Sequence, residues 1–196
     1  MRMGRQTEPL QVNRKIAVLG FRAVGKTSLT TRFALDTFGE RYDPTIENTY
    51  HKTIRFRKVH FSTDIVDTAG MDEYSRLSRN ASVGVHGYLL LYSTTSAQSL
   101  RNIPAINDAL LSTLGDAPTV PRVLVGTMTD LTGEREVTGE QGRAMAENLG
   151  IPFLECSGKT GENVREAFHL LIKEIENDGD LMSLTDEEGV GFCTIL

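Results

Sequence analysis

The sequence predicts an α/β fold, with a mostly parallel sheet covered by helices on both faces. Two observations carry this. Short apolar runs at Lys15–Leu19, Gly87–Tyr92, Arg122–Val125 and Ile151–Cys156 read as buried strands, and segments of helical periodicity separate them. The string Gly20-Phe-Arg-Ala-Val-Gly25-Lys26-Thr27 stands between the first of these strands and a helix. It fits G-x-x-x-x-G-K-[ST], where backbone N–H groups close around phosphate oxygens, the lysine reaches the β- and γ-phosphates, and the hydroxyl ligates Mg²⁺. Such a loop belongs at the carboxyl end of its strand.

The elements follow in order. Met1 to Asn13 is polar, terminal and interrupted by Pro9, which predicts a mobile arm (residues 1–13) before a domain over 14–176. The helix after the phosphate loop runs to about Leu35, and residues 36–47, with Asp, Gly and Pro, form a loop. A hairpin comes next, with Ile54 and Phe56 on one face of its first strand and Val59, Phe61 and Ile65 on one face of its second. Ser96 caps a helix that must accommodate Pro104 by some distortion. Thr138-x-x-Gln141 is a capping box opening a helix that buries Met145 and Leu149. Ile151–Cys156 is the last strand. Asn163-x-x-Glu166 opens a final helix with the stripe Val164, Phe168, Leu171, Ile172 and Ile175.

Composition narrows the function. A chain of 196 residues suits one domain with tails. A net charge of −5 and the lack of a basic block argue against nucleic acid as partner. Arg55, Arg57, Lys58 and His60 are dense in cations but alternate with Phe56 and Val59, as on a solvated hairpin face. Two cysteines, Cys156 and Cys193, give no disulfide framework, which fits the reducing cytoplasm, and Cys156 reads as a small core residue. No apolar stretch is of membrane-spanning length, and residues 1–14 are too polar for a signal peptide.

Four further stretches complete a constellation. In Tyr42-Asp43-Pro44-Thr45-Ile46-Glu47 a hydroxyl can reach Mg²⁺ while its backbone N–H contacts a γ-phosphate, ordering the loop in the triphosphate state. Asp67-Thr68-Ala69-Gly70 ends the hairpin, placing a carboxylate beside the Mg²⁺ and a flexible glycine at the γ-phosphate. Asp130, four residues past the strand end at Gly126, can accept two hydrogen bonds from a guanine edge. Ser157-Gly158-Lys159 follows the last strand and can offer the base a backbone N–H. Each stretch alone reads as turn chemistry. Their order and spacing make the case for a nucleotide switch.

From Lys15 to about Glu176 the arrangement resembles the Ras family of small GTPases, and within it the Rheb subgroup. The subgroup likeness rests on Gly20-Phe-Arg-Ala-Val-Gly-Lys, with Arg22 where Ras carries glycine, on Glu47-Asn48-Thr49 and on Asp72-Glu73-Tyr74-Ser75. The resemblance implies a P-loop NTPase (G domain) with a six-stranded sheet, one antiparallel edge strand and five helices. It implies GTP/GDP as ligand through Gly20, Arg22, Ala23, Val24, Gly25, Lys26, Thr27, Ser28, Tyr42, Pro44, Thr45, Gly70, Thr127, Met128, Asp130, Ser157, Gly158 and Lys159. Mg²⁺ then falls to Thr27 and Thr45, with Asp67 acting indirectly, and hydrolysis to Thr45, Gly70, Met71 and Arg22. Effectors are expected on residues 42–50 and 70–84, a GTPase-activating protein as a further partner, and TOR kinase signalling as the pathway.

Three departures set this chain apart. Met71 replaces the glutamine that orients the attacking water, and a thioether cannot donate a hydrogen bond. The guanine loop reads Thr127-Met128-Thr129-Asp130 instead of Asn-Lys-x-Asp: Met128 can lay an apolar stem along the base, but Thr127 is too short to copy every bond of the asparagine. Arg22 crowds the γ-phosphate pocket. The expectation is a switch with slow intrinsic hydrolysis, the alternative a non-hydrolysing, GTP-bound interaction module.

Cys193-Thr194-Ile195-Leu196 fits C-a-a-X, with the last leucine favouring geranylgeranyl addition. Residues 177–196 carry Asp178, Asp180, Asp186, Glu187 and Glu188 with glycines, and are expected to stay disordered. One prenyl chain without a polybasic cluster anchors only reversibly, which predicts a cytoplasmic protein held loosely on the cytosolic face of internal membranes.

Overall fold

The computed structural model describes residues 10–39, 44–72, 77–115 and 120–177. One sheet holds β1 (Leu10–Gly20), β2 (Glu47–Phe56), β3 (Val59–Thr68), β4 (Gly87–Ser93), β5 (Arg122–Thr127) and β6 (Phe153–Glu155), in the order β2-β3-β1-β4-β5-β6. Every pairing is parallel except that of the edge strand β2 with β3. The helices are α1 (Lys26–Leu35), α2 (Ala97–Arg101), α3 (Ile103–Leu114), α4 (Gly139–Leu149) and α5 (Val164–Asn177).

The alternation of β1 explains the two layers. Ile16 and Val18 face one way, into a core shared with Leu29 and Phe33 of α1 and Phe168 and Leu171 of α5. Ala17 and Leu19 face the other, into a core shared with Ile106 and Leu110 of α3 and Ala146 of α4. The rings of Phe33 and Phe168 stack at 3.8 Å between centroids, locking α1 against α5. That contact fixes the helix on which the phosphate loop ends.

Several boundaries differ from the sequence expectation. β1 begins at Leu10, five residues before Lys15, so residues 10–13 are not part of an unpaired arm. They pair in register with Val59 to Ser62 of β3, which engages one edge of their backbone although polar Gln11 and Asn13 alternate with Leu10 and Val12. The single distorted helix expected after Ser96 is two helices. Ser96 does cap, accepting from Ser99 N, but Asn102 interrupts the run and Pro104 falls in the first turn of α3, where its missing N–H costs nothing. In α4 the buried residues are Gly142 and Ala146, with Met145 and Leu149 half-buried at its flank. A Cβ at Gly142 would come within 2.2 Å of the Tyr92 hydroxyl, so only glycine lets this helix reach the sheet. Asn163 precedes α5 in a left-handed conformation and donates its side-chain amide to Glu155 O at 2.8 Å, tying the helix to β6. Cys156 is fully buried, and burial pushes its thiol up to about 12.

Candidate functional site

All the expected site residues that the structure describes, other than Pro44 and Met71, gather at the carboxyl ends of β1, β3, β5 and β6. The loop after β1 must turn tightly: Ala23 (φ 57°) and Gly25 (φ 83°) are both left-handed, and a Cβ at Gly20 would meet Leu91 O at 2.4 Å. No side chain caps the start of α1 at Gly25. Its first N–H groups therefore point into the cleft unspent, which is the arrangement that binds phosphate. Lys26, 6% exposed, folds back to donate to Phe21 O at 2.9 Å and Gly20 O at 3.2 Å. Burial lowers its pKa to about 8, against the opposing pull of Asp67. An anion in the cleft relieves that strain on the ammonium.

The metal-binding candidates converge. Thr27 and Thr45, eighteen positions apart in sequence, have their hydroxyls 2.8 Å from one another. Asp67 is wholly buried, and neither carboxylate oxygen completes a hydrogen bond. Burial raises its pKa, while the nearby Thr27 hydroxyl and the Lys26 ammonium pull it back. A buried carboxylate with two unmatched oxygens beside two hydroxyls is a hard-oxygen donor set in want of a cation. Among the described residues no group of three or more His, Cys, Asp or Glu side chains stands together, so the candidate donors from the protein here are Thr27, Thr45 and Asp67. The residues fit Mg²⁺.

Two adjoining cavities continue from this point. One, of about 500 Å³, is lined by Arg22, Ala23, the start of α1, Phe38, Thr45, Thr68, Gly70 and Met128. The other, of about 330 Å³, is lined by Gly25, Ser28, Leu29, Phe38, Thr127, Met128, Asp130, Leu131, Gly158 and Lys159. The first suits phosphates and the second a planar base. Ser157 is buried and donates to Asp130 Oδ1 at 2.5 Å, while its own Oγ accepts from Thr160 N at 3.1 Å. Ser157 thus holds Asp130 in place from behind and does not line the base cavity. Gly158 passes close over the backbone of Ser28, which binds the base loop to α1.

The unusual guanine loop has partners of its own. Thr127 Oγ1 lies 2.6 Å from Val24 O and 3.0 Å from Tyr92 O. Met128 is left-handed (φ 63°), and its sulfur accepts from Ser93 Oγ at 3.2 Å, so the side chain lies over Gly25 between the two cavities. Phe38 and Leu131 also line the base cavity, and neither belongs to a motif.

The hydrolysis positions separate. Gly70 reaches the cleft because it has no side chain: a Cβ there would sit 2.5 Å from the Cα of Arg22. Arg22 is exposed, with its guanidinium 5.2 Å from the Phe21 ring centroid. Met71, at the position where the resemblance places a water-orienting glutamine, turns its side chain away from the cleft. Its N–H donates to Gly20 O at 2.9 Å, and its side chain, 6% exposed, packs into the core with Leu19, Val66 and Ala81. A thioether gains more from that apolar contact than from the wet cleft. Pro44 is exposed and lines neither cavity. Tyr42 and Cys193 lie outside the described residues.

Comparison with known proteins agrees with this geometry. A family model described as "Ras family" matches residues 15–177. A GTP-binding protein Rheb homolog of Dictyostelium discoideum is 48% identical over 165 residues, covering 84% of this chain and 89% of that protein. The GTP-binding protein rhb1 of Schizosaccharomyces pombe is 44% identical over 177 residues, covering 90% and 95%. The GTP-binding protein Rheb of Homo sapiens is 39% identical over 188 residues, covering 96% of this chain and all of that protein. The chain belongs to the Ras family of small GTPases, whose members bind GTP and GDP with Mg²⁺ and hydrolyse GTP, and it is most like the Rheb proteins.

Proposed function

We propose that this protein is a Rheb-like GTP switch with slow intrinsic hydrolysis, signalling to effectors from a membrane surface. The observation that carries the nucleotide reading is the fully buried, unmatched Asp67 beside the Thr27–Thr45 hydroxyl pair. Thr27 and Thr45 would hold the cation, Asp67 would fix its shell, and the bound Mg²⁺ would supply charge compensation for the phosphates. Thr45 reaches the cation only when residues 44–46 close on the cleft, so the effector segment 42–50 follows the state of the γ-phosphate. Asp130, steadied by Ser157, selects guanine.

Slow hydrolysis follows from what surrounds the γ-phosphate. Lys26, the α1 N–H groups and Gly70 would hold it, but with Met71 in the core no side chain at that position would align a water. Effectors on residues 42–50 and 70–84, a GTPase-activating protein, the TOR kinase pathway and a prenyl anchor at Cys193 are carried over from the resemblance to Rheb proteins and from the C-a-a-X ending. The burial of Met71 also favours a second reading, a GTP-bound module that does not hydrolyse at all. A single-turnover assay of phosphate release, with and without Mg²⁺, separates the two: slow Mg²⁺-dependent release supports the switch, and none supports the module. Failure of the protein to retain either guanine nucleotide would defeat both.

A further inference from the structure

A third cavity, of about 570 Å³, lies away from the nucleotide site, where α1, β2 and α5 meet. Arg32, Lys52, Arg55, Arg165 and His169 line it, with Asp36 as its one carboxylate. In a chain of net charge −5 this is a local excess of cations. Two of them are partly satisfied. Lys52 donates to Ala34 O at 3.0 Å near the end of α1. Arg32 lies 3.8 Å from Asp36 and donates to Thr160 O at 3.4 Å, in space left by Gly161, whose Cβ would stand 3.2 Å from that guanidinium. Arg55 and Arg165 are exposed and have no carboxylate partner among the described residues.

The chain carries its own counter-charge. After Asn177, the last residue of α5, come Asp178, Asp180, Asp186, Glu187 and Glu188, and no lysine or arginine follows Lys173. From Arg165 to Asn177 the helix rises about 18 Å at 1.5 Å per residue. Residues 178–188 can span up to roughly 36 Å when extended, so the segment can double back along α5 to the cavity. Tethering supplies an effective concentration in the millimolar range, which a cluster of modest ion pairs can exploit.

We propose that the acidic segment 178–188 docks in the cavity between α1, β2 and α5, its carboxylates pairing with Arg55 and Arg165. Docking would draw the chain beyond residue 188, Cys193 included, toward the β2–α5 face. The contact is electrostatic, so salt weakens it. It is independent of the nucleotide, and its test does not depend on hydrolysis.

The test compares backbone amide spectra of the full chain with those of a tail-neutralised variant (Asp178→Asn, Asp180→Asn, Asp186→Asn, Glu187→Gln and Glu188→Gln together). Neutralisation is expected to shift the amides of Thr53, Arg55, Gly161 and Arg165 and to leave those of the base loop at Asp130 in place. High salt should produce the same shifts in the wild type and none in the variant. Arg55→Glu with Arg165→Glu, both at exposed positions, should abolish the difference between the two tails. If neutralising the tail moves none of these amides, or moves them equally in the Arg55→Glu, Arg165→Glu background, the proposal falls. It falls equally if they answer only to vesicles containing phosphatidylserine, because the occupant is then a membrane.

Discussion

Thr127 Oγ1 lies 2.6 Å from the carbonyl oxygen of Val24, so one hydroxyl joins the guanine loop to the phosphate loop. The sequence suggests a position weakened by loss of an asparagine; in the structure the threonine keeps one link and gives up the reach of the longer side chain.

This sets the first prediction. Thr127→Val keeps the shape of the side chain and removes the donor from a buried site. One such bond is worth about 0.5–1.5 kcal/mol net, or roughly 2- to 13-fold in affinity. Release of a fluorescent guanine nucleotide should quicken by that factor. Thr127→Asn with Met128→Lys should slow it, and unchanged release in both variants would remove Thr127 from the account.

A second prediction concerns the membrane. Prenylation at Cys193 is expected to hold the protein on internal membranes, because five tail carboxylates disfavour the anionic inner face of the plasma membrane. Cys193→Ser should leave the protein entirely in the non-membrane fraction. Equal membrane shares for variant and wild type would defeat this.

The sheet and its phosphate loop were legible because burial imposes period and the loop imposes glycine. Strand β1 was read short because polar Gln11, Asn13 and Arg14 interrupt residues 10–14; their pairing with β3 depends on a partner about fifty residues away, which no local window contains. Phe38 and Leu131 escaped notice because the walls of a base cavity need only be apolar and well placed. Met71 shows the other limit. Its position in the motif was plain, but whether the side chain enters the cleft or the core is decided by packing with Val66 and Ala81.

The third prediction is a pH dependence. His86 Nδ1 accepts from Lys15 N at 2.9 Å, a bond that only the neutral ring can make at that nitrogen. Burial lowers its pKa below the usual 6.5, and Arg14 lowers it further, against opposing pulls from the Lys15 backbone and from Glu176. The unfolded chain therefore binds this proton more readily, and the stability His86 contributes is lost as pH falls below about 6.5. His86→Gln should show a smaller drop in Tm between neutral and mildly acidic pH, and an NMR titration of the wild-type ring should give a pKa below 6.5.

The last prediction concerns turnover. Phosphoryl transfer depends on an aligned water and on compensated γ-phosphate oxygens. On the proposed reading the second requirement would be met by Lys26, by the uncapped start of α1, and by Gly70, which reaches the cleft across the Arg22 backbone. No side chain at position 71 would meet the first, since Met71 is in the core. Intrinsic hydrolysis should stand at or below about 10⁻⁴ s⁻¹, the scale of an unassisted GTPase of this family. Arg22→Gly removes bulk from the cleft mouth and should raise the rate clearly. Met71→Gln should raise it only modestly, because the new amide must leave an apolar site to reach the water; if it stays, burial of the unmatched amide costs about 1–3 kcal/mol and Tm falls. Gly70→Ala should stop turnover, because its Cβ would lie 2.5 Å from Arg22 Cα. Phosphate release measured in single turnover decides all three. Wild-type release tens of times faster than that scale, with no partner present, would mean that some other group aligns the water.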